Sequence, residues 1–141
     1  MMTKTSHLPR LASSIAALVI TLAAGTAFAA DLVLSGANEV PPVTTSASGT
    51  GNITIAADGT VSGSVKTMGV KGTMAHIHRG AAGKNGPVLI PLTAGAEGEW
   101  MVPAGAKLDA EGMKAYQAGE LYVNVHSEAN KGGELRVQLK P

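Results

Sequence analysis

Short segments in which apolar and polar residues alternate recur from residue 31 to the C-terminus. They are rich in Val, Ile, Leu and Thr, and glycines and prolines separate them. This period-two pattern is typical of antiparallel strands that turn one face to a core. The predicted strands cover residues 31–35, 49–56, 60–67, 72–79, 87–92, 98–102, 120–126 and 134–140.

One segment has the pattern of a helix instead. Asp109 is a suitable N-cap, residues 110–118 include Met113 and Tyr116, and Gly119 suits the position just past the end. The chain shows no internal repeat and no second domain. Eight strands and one short helix predict an all-β fold, an antiparallel eight-stranded β-sandwich or barrel of Greek-key type.

The first 29 residues have the organisation of a secretory signal peptide. Lys4 and Arg10 precede an apolar run over residues 11–24, and Ala27-Phe28-Ala29 has the small–x–small form of a cleavage site. A membrane anchor is the alternative, but it needs roughly 20 uninterrupted apolar residues. We therefore expect cleavage after Ala29, a mature domain over residues 30–141, and a periplasmic or secreted protein.

Charge and cysteine content narrow the function classes. Removal of Lys4 and Arg10 changes the formal charge from +1 to −1, and no basic cluster remains. Nucleic acid and anionic membranes are therefore not expected as partners. The chain has no cysteine, so any transition metal would need ligands from His, Met, carboxylates or the backbone.

The mature chain has three histidines, and they lie in two predicted strands. His76 and His78 alternate with Ala75 and Ile77, so both imidazoles point away from the core. His126 likewise alternates with apolar residues that fill the core. If the two strands are neighbours, the three imidazoles gather on one non-core face. This predicts a metal site, against the simpler interpretation that they are ordinary surface histidines.

Arg136 is expected beside the same face. Seven residues join the last two strands, so these should form a hairpin that places Arg136 near Asn124 and His126. Imidazole ligands suit zinc, copper, nickel and iron, and three histidines with an open position suit a catalytic zinc ion or a redox-active copper ion. Met74 shares the face of His76 and would favour Cu(I) as a soft ligand, although methionines more commonly fill a core. Copper is the metal we expect and zinc the alternative, with the fourth ligand left open.

Four segments resemble the CHRD domain, the module repeated in chordin and found alone in many exported microbial proteins. They cover residues 34–43, 75–80, 119–127 and 133–136, in the order of the family. Ser127 and Val137 depart mildly from the usual threonine and glycine. The resemblance implies a β-sandwich and says little about chemistry.

The histidine pattern is also similar, more weakly, to that of the copper/zinc superoxide dismutases. That similarity implies that His76, His78 and His126 are copper ligands and that Arg136 has a catalytic role in attracting a small anion such as superoxide. The bridging histidine, the zinc ligands and the disulfide cysteines of those enzymes have no counterparts here. A copper-only site is the most that the similarity implies.

Three functions follow from these observations. The first is an exported copper-binding protein with superoxide dismutase-like redox activity. The second is a non-enzymatic module for metal storage or protein interaction. A zinc hydrolase is third, because no general base accompanies the histidines. The sequence leaves open whether the protein is an enzyme and what its oligomeric state is, a homodimer included.

Overall fold

The structure is a computed structural model that describes residues 31–141. The predicted signal peptide over residues 1–29 lies outside this range. The elements, in chain order, are β1 (Leu32–Leu34), a 3₁₀ turn (Gly36–Asn38), β2 (Ser48–Ile55), β3 (Val61–Met68), β4 (Gly72–Arg79), β5 (Val88–Pro91), β6 (Thr93–Ala94), β7 (Glu99–Met101), α1 (Ala110–Gln117), β8 (Leu121–Ser127) and β9 (Leu135–Leu139).

Two antiparallel sheets form the molecule. One has five strands in the order β1-β2-β3-β7-β6, and the other has four in the order β5-β4-β8-β9. The core consists of the apolar residues that alternation assigned to the inner faces. The side chains without exposed area are those of Val65, Ile77, Leu121, Val123, Val125 and Leu135. The predicted antiparallel β-sandwich is confirmed.

Two details of the predicted architecture differ from the structure. Within residues 31–141 there are nine strands rather than eight, and the sheets do not close into a barrel. The predicted strand over residues 87–92 ends at Pro91, which has no N–H and therefore suits an edge strand. The buried Leu92 then carries the chain to the other sheet, where Thr93–Ala94 pairs with β7.

The predicted helix is confirmed together with its caps. The side chain of Asp109 accepts a hydrogen bond from the Gly112 N–H at 2.8 Å. Gly119 has φ +73°, the left-handed conformation that glycine adopts without strain. The helix packs Ala115 into the core and directly precedes β8. No helix in the described part of the chain is both long and apolar enough to cross a membrane.

The outer face of the four-stranded sheet is the feature that positions the candidate site. All seven residues of β8 are buried, although alternation predicts that every second one faces outward. The segments over residues 36–45 and 80–86 cover this face, through hydrogen bonds to Asn124 and Arg136 among others. The polar side chains of β8 therefore lie in a buried polar region between the four-stranded sheet and these two covering segments.

Candidate metal centre

Strands β4 and β8 are neighbours, so the three histidines meet. In the antiparallel register Met74 lies opposite His126, His76 opposite Asn124, and His78 opposite Tyr122. Opposed residues in such a pair have Cβ atoms about 5 Å apart, and residues two apart in a strand share a face. The juxtaposition on which the metal hypothesis depends is present.

The three imidazoles form a compact triangle. One ligand atom from each of His76, His78 and His126 lies within 4.8 Å of the others. The ring of His76 is tilted steeply to both of its neighbours, at 80° to His78 and 68° to His126. Three tilted rings can direct a nitrogen each toward a common point, which is the arrangement a metal ion requires.

Hydrogen bonds to backbone carbonyls decide which nitrogen two of the rings offer. His126 Nδ1 lies 2.7 Å from the Lys131 carbonyl oxygen, and His78 Nδ1 lies 3.0 Å from that of Gly86. A carbonyl only accepts, so both Nδ1 atoms carry the proton and both Nε2 atoms keep a lone pair. Metal-bound histidines typically donate their other N–H in this way, which fixes the ring.

The remaining contacts of the rings fit an ion. His76 Nδ1 lies 3.1 Å from His126 Nε2. Since His126 Nε2 is the acceptor, His76 Nδ1 carries a proton, and this proton points to the place where a metal ion would bind. His78 Nε2 is buried and has no hydrogen-bond partner. A buried polar atom without a partner normally costs free energy, and a metal ion would satisfy it.

Burial also favours the neutral form of these rings. It lowers the pKa of His76, and the neighbouring His126 and His78 lower it further. Burial likewise lowers the pKa of His78, against the opposing effect of its bond to Gly86. Neutral imidazole is the form that binds metal, so protons would compete only weakly with a metal ion for these two rings.

Arg136 lies beside the histidines, but its side chain is buried. Its side chain is only 1% exposed, and it donates to the Ala81 and Lys84 carbonyls and to Asn85 Oδ1. Its predicted role in attracting an anion stays a prediction. The hairpin that was expected to bring Arg136 next to Asn124 is confirmed by the pairing of β8 with β9.

The comparisons with known proteins agree with the resemblance noted above. The family model described as the CHRD domain matches residues 30–139. The chain belongs to the CHRD domain family. No curated protein and no solved structure matches it with significant similarity.

The four segments that resemble the family are neighbours in this CHRD domain, because β4 pairs with β8, β8 pairs with β9, and Ser35 forms a bridge to Arg136. Glu39 Oε1, from the first segment, accepts a hydrogen bond from Asn124 Nδ2 at 2.5 Å. Burial raises the pKa of Glu39 to about 7, although Arg136 and Asn124 act in the opposite direction. The described contact of Glu39 is thus to Asn124, and backbone carbonyls orient the rings of His78 and His126.

Met74 lies on the same face as the histidines of this CHRD domain. Its side chain is 49% exposed although large and apolar, and it lies opposite His126 on the shared face. The carboxylate of Glu134 accepts hydrogen bonds from the hydroxyls of Ser127 and Thr45, which lower its pKa. Within residues 31–141, the three histidines form a possible metal cluster that no carboxylate joins.

Sequence reasoning missed the groups that hold the rings in place. The Gly86 and Lys131 carbonyls lie in segments without periodicity, where side-chain patterns say nothing about backbone direction. The sequence also did not indicate that the ring of Tyr122 lies parallel to that of His78. A glycine-rich segment directly after an H-x-H strand was the available indication that backbone approaches the site.

Proposed function

We propose that this CHRD domain is an exported protein that binds one transition-metal ion, copper in preference to zinc. The ligands are Nδ1 of His76, Nε2 of His78 and Nε2 of His126. The observation that carries the proposal is the triangle of ligand atoms within 4.8 Å, in which two distal N–H groups are already bound to carbonyls. Three neutral imidazoles on a rigid sheet form a set of metal-binding nitrogens whose positions are fixed before an ion binds.

The donor set favours copper through its softness and its lack of charge. No cysteine is present in the chain and no carboxylate joins the cluster within residues 31–141. The exposed thioether of Met74 lies across the strand pair from His126, and thioether ligands select Cu(I) over hard ions. Zinc remains the alternative, since three histidines with an open position also suit a zinc ion.

The open side of the site determines what can reach it. His78 and His126 are each 8% exposed, whereas His76 is partly exposed and Met74 is exposed. A small molecule would therefore approach from the side of His76 and Met74. When bound, copper supplies one-electron redox chemistry, and a small anion such as superoxide is the proposed substrate.

A non-enzymatic metal-storage or carrier module is the second candidate, and the burial of Arg136 favours it. An arginine that attracts an anion needs donors that face the open side. Here the guanidinium is 1% exposed and its donors are bound to the segment over residues 80–86. Without a steering charge, metal binding itself is the function that the geometry supports.

Metal titration of the mature domain, produced without a histidine tag, tests the proposal. We expect one equivalent of Cu(I) or Cu(II) per chain, and tighter binding of Cu(I) than of Zn(II). Absence of stoichiometric binding of either metal would contradict the proposal. Superoxide consumption by the copper-loaded domain then separates the two candidates: a rate above that of copper in buffer supports the oxidoreductase, and an equal rate supports the storage module.

A further inference from the structure

The buried side chain of Arg136 makes several hydrogen bonds to the segment over residues 80–86. Arg136 Nη2 donates to the Lys84 carbonyl at 2.8 Å and to the Ala81 carbonyl at 3.1 Å, and Nη1 donates to Asn85 Oδ1 at 3.2 Å. These bonds use the fork geometry that distinguishes a guanidinium from an ammonium group. Arg136 therefore fixes the path of the segment.

The last residue of that segment is held at both of its backbone groups. The Gly86 N–H donates to Tyr122 Oη at 3.1 Å, and its carbonyl accepts from His78 Nδ1 at 3.0 Å. A Cβ at this position would overlap the Arg79 carbonyl, so the backbone approaches as closely as glycine allows. The path of the segment therefore determines where the Gly86 carbonyl lies, and this carbonyl in turn orients the His78 ring.

The His78 ring also packs against the ring of Tyr122, which in turn packs against the Arg136 guanidinium. The guanidinium carbon of Arg136 lies 3.5 Å from the centroid of the Tyr122 ring. The Tyr122 ring lies parallel to the His78 imidazole, with an interplanar angle of 3° and centroids 4.8 Å apart. Tyr122 therefore contacts both the Arg136 guanidinium and the parallel imidazole of His78, and this packing holds the plane of the His78 ring.

We propose that Arg136 and Tyr122 are positioning residues that fix the tautomer and plane of His78 and so present its Nε2 to the metal ion. This inference rests on the proposed metal function. It assigns Arg136 a role through His78, instead of the contact with an incoming anion predicted from the sequence. Metal affinity, and not only the rate of an anion reaction, then depends on Arg136.

Two conservative variants test the proposal. Tyr122→Phe keeps the ring and removes the oxygen that accepts from Gly86. Arg136→Lys keeps the charge and removes the fork and the planar group. Lys66→Met is the control, because it removes an exposed positive charge from β3 in the other sheet. The readouts are Zn(II) and Cu(I) affinity by chelator competition, and the His78 tautomer in the metal-free domain by ¹⁵N–¹H NMR couplings.

We expect wild type and Lys66→Met to show the Nδ1–H tautomer of His78 and equal affinities. Tyr122→Phe and Arg136→Lys should show a mixture of tautomers and bind both metals about tenfold more weakly, the lower end of the usual effect of outer-sphere partners. Folded variants with an unchanged His78 tautomer, or with wild-type affinity, would overturn the proposal. If wild type binds no metal, the proposed function fails, and the tautomer comparison still decides the positioning role.

Discussion

Replacement of any one of His76, His78 or His126 by alanine is expected to weaken metal binding by at least about a hundredfold. Changes to outer-sphere partners of a metal typically cost 10–100-fold, and loss of a ligand should cost at least as much. Within residues 31–141 the cluster contains no Asp, Glu or further His side chain that could take the place of the one removed. Chelator competition with Cu(I) and Zn(II) measures the effect.

The control for this series is His76→Asn, compared with His76→Ala. Asparagine resembles part of the imidazole in polarity but is a poor ligand for copper, so both variants should lose binding equally. Circular dichroism must show that the fold persists, which we expect because His76 is partly exposed and outside the core. Wild-type affinity in any one of the three alanine variants would refute the three-ligand site.

Gly133→Ala is expected to lower the free energy of unfolding by about 3 kcal/mol or more. Gly133 has φ +132°, a conformation that costs a residue with a Cβ about 1–3 kcal/mol. A Cβ would also overlap Asn124 Nδ2 and the Glu39 carboxylate, and overpacking adds about 1–3 kcal/mol. The turn before β9 therefore depends on glycine at this position.

The adjacent residue provides a matched control. A Cβ on Gly132 meets no atom within 4 Å, so Gly132→Ala should change the stability by no more than about 0.5 kcal/mol. Urea denaturation of both variants measures the difference. Equal midpoints for the two variants would show that the Glu39–Asn124 contact does not press against the turn as described.

The sequence was most informative where one face of a strand packs on the core. Alternation in β4 and β8 correctly separated Ala75, Ile77 and Val123 from the histidines, because burial enforces a period of two. It did not determine which strands are neighbours, since pairing depends on contacts between distant segments. The switch at Leu92 between sheets was missed for a similar reason, as a continuous apolar run looks the same in one strand or two.

The alternation of apolar and polar residues did not predict what surrounds the site. Arg136 sits at an outward position and was expected near solvent, yet it is almost fully buried. The segments over residues 36–45 and 80–86 cover it, and neither has a periodicity that predicts where it folds. Their positions depend on hydrogen bonds such as that between Gln138 Nε2 and the Gly80 carbonyl, at 2.7 Å. Residue types alone do not specify such contacts.

A crystal structure of the copper-loaded domain, with anomalous scattering measured at the copper edge, tests the central claim most directly. The account predicts one strong anomalous peak about 2 Å from Nδ1 of His76, Nε2 of His78 and Nε2 of His126, the usual length of a metal–imidazole bond. A peak bound by only one of these histidines, or located away from the face that β4 and β8 share, would contradict it.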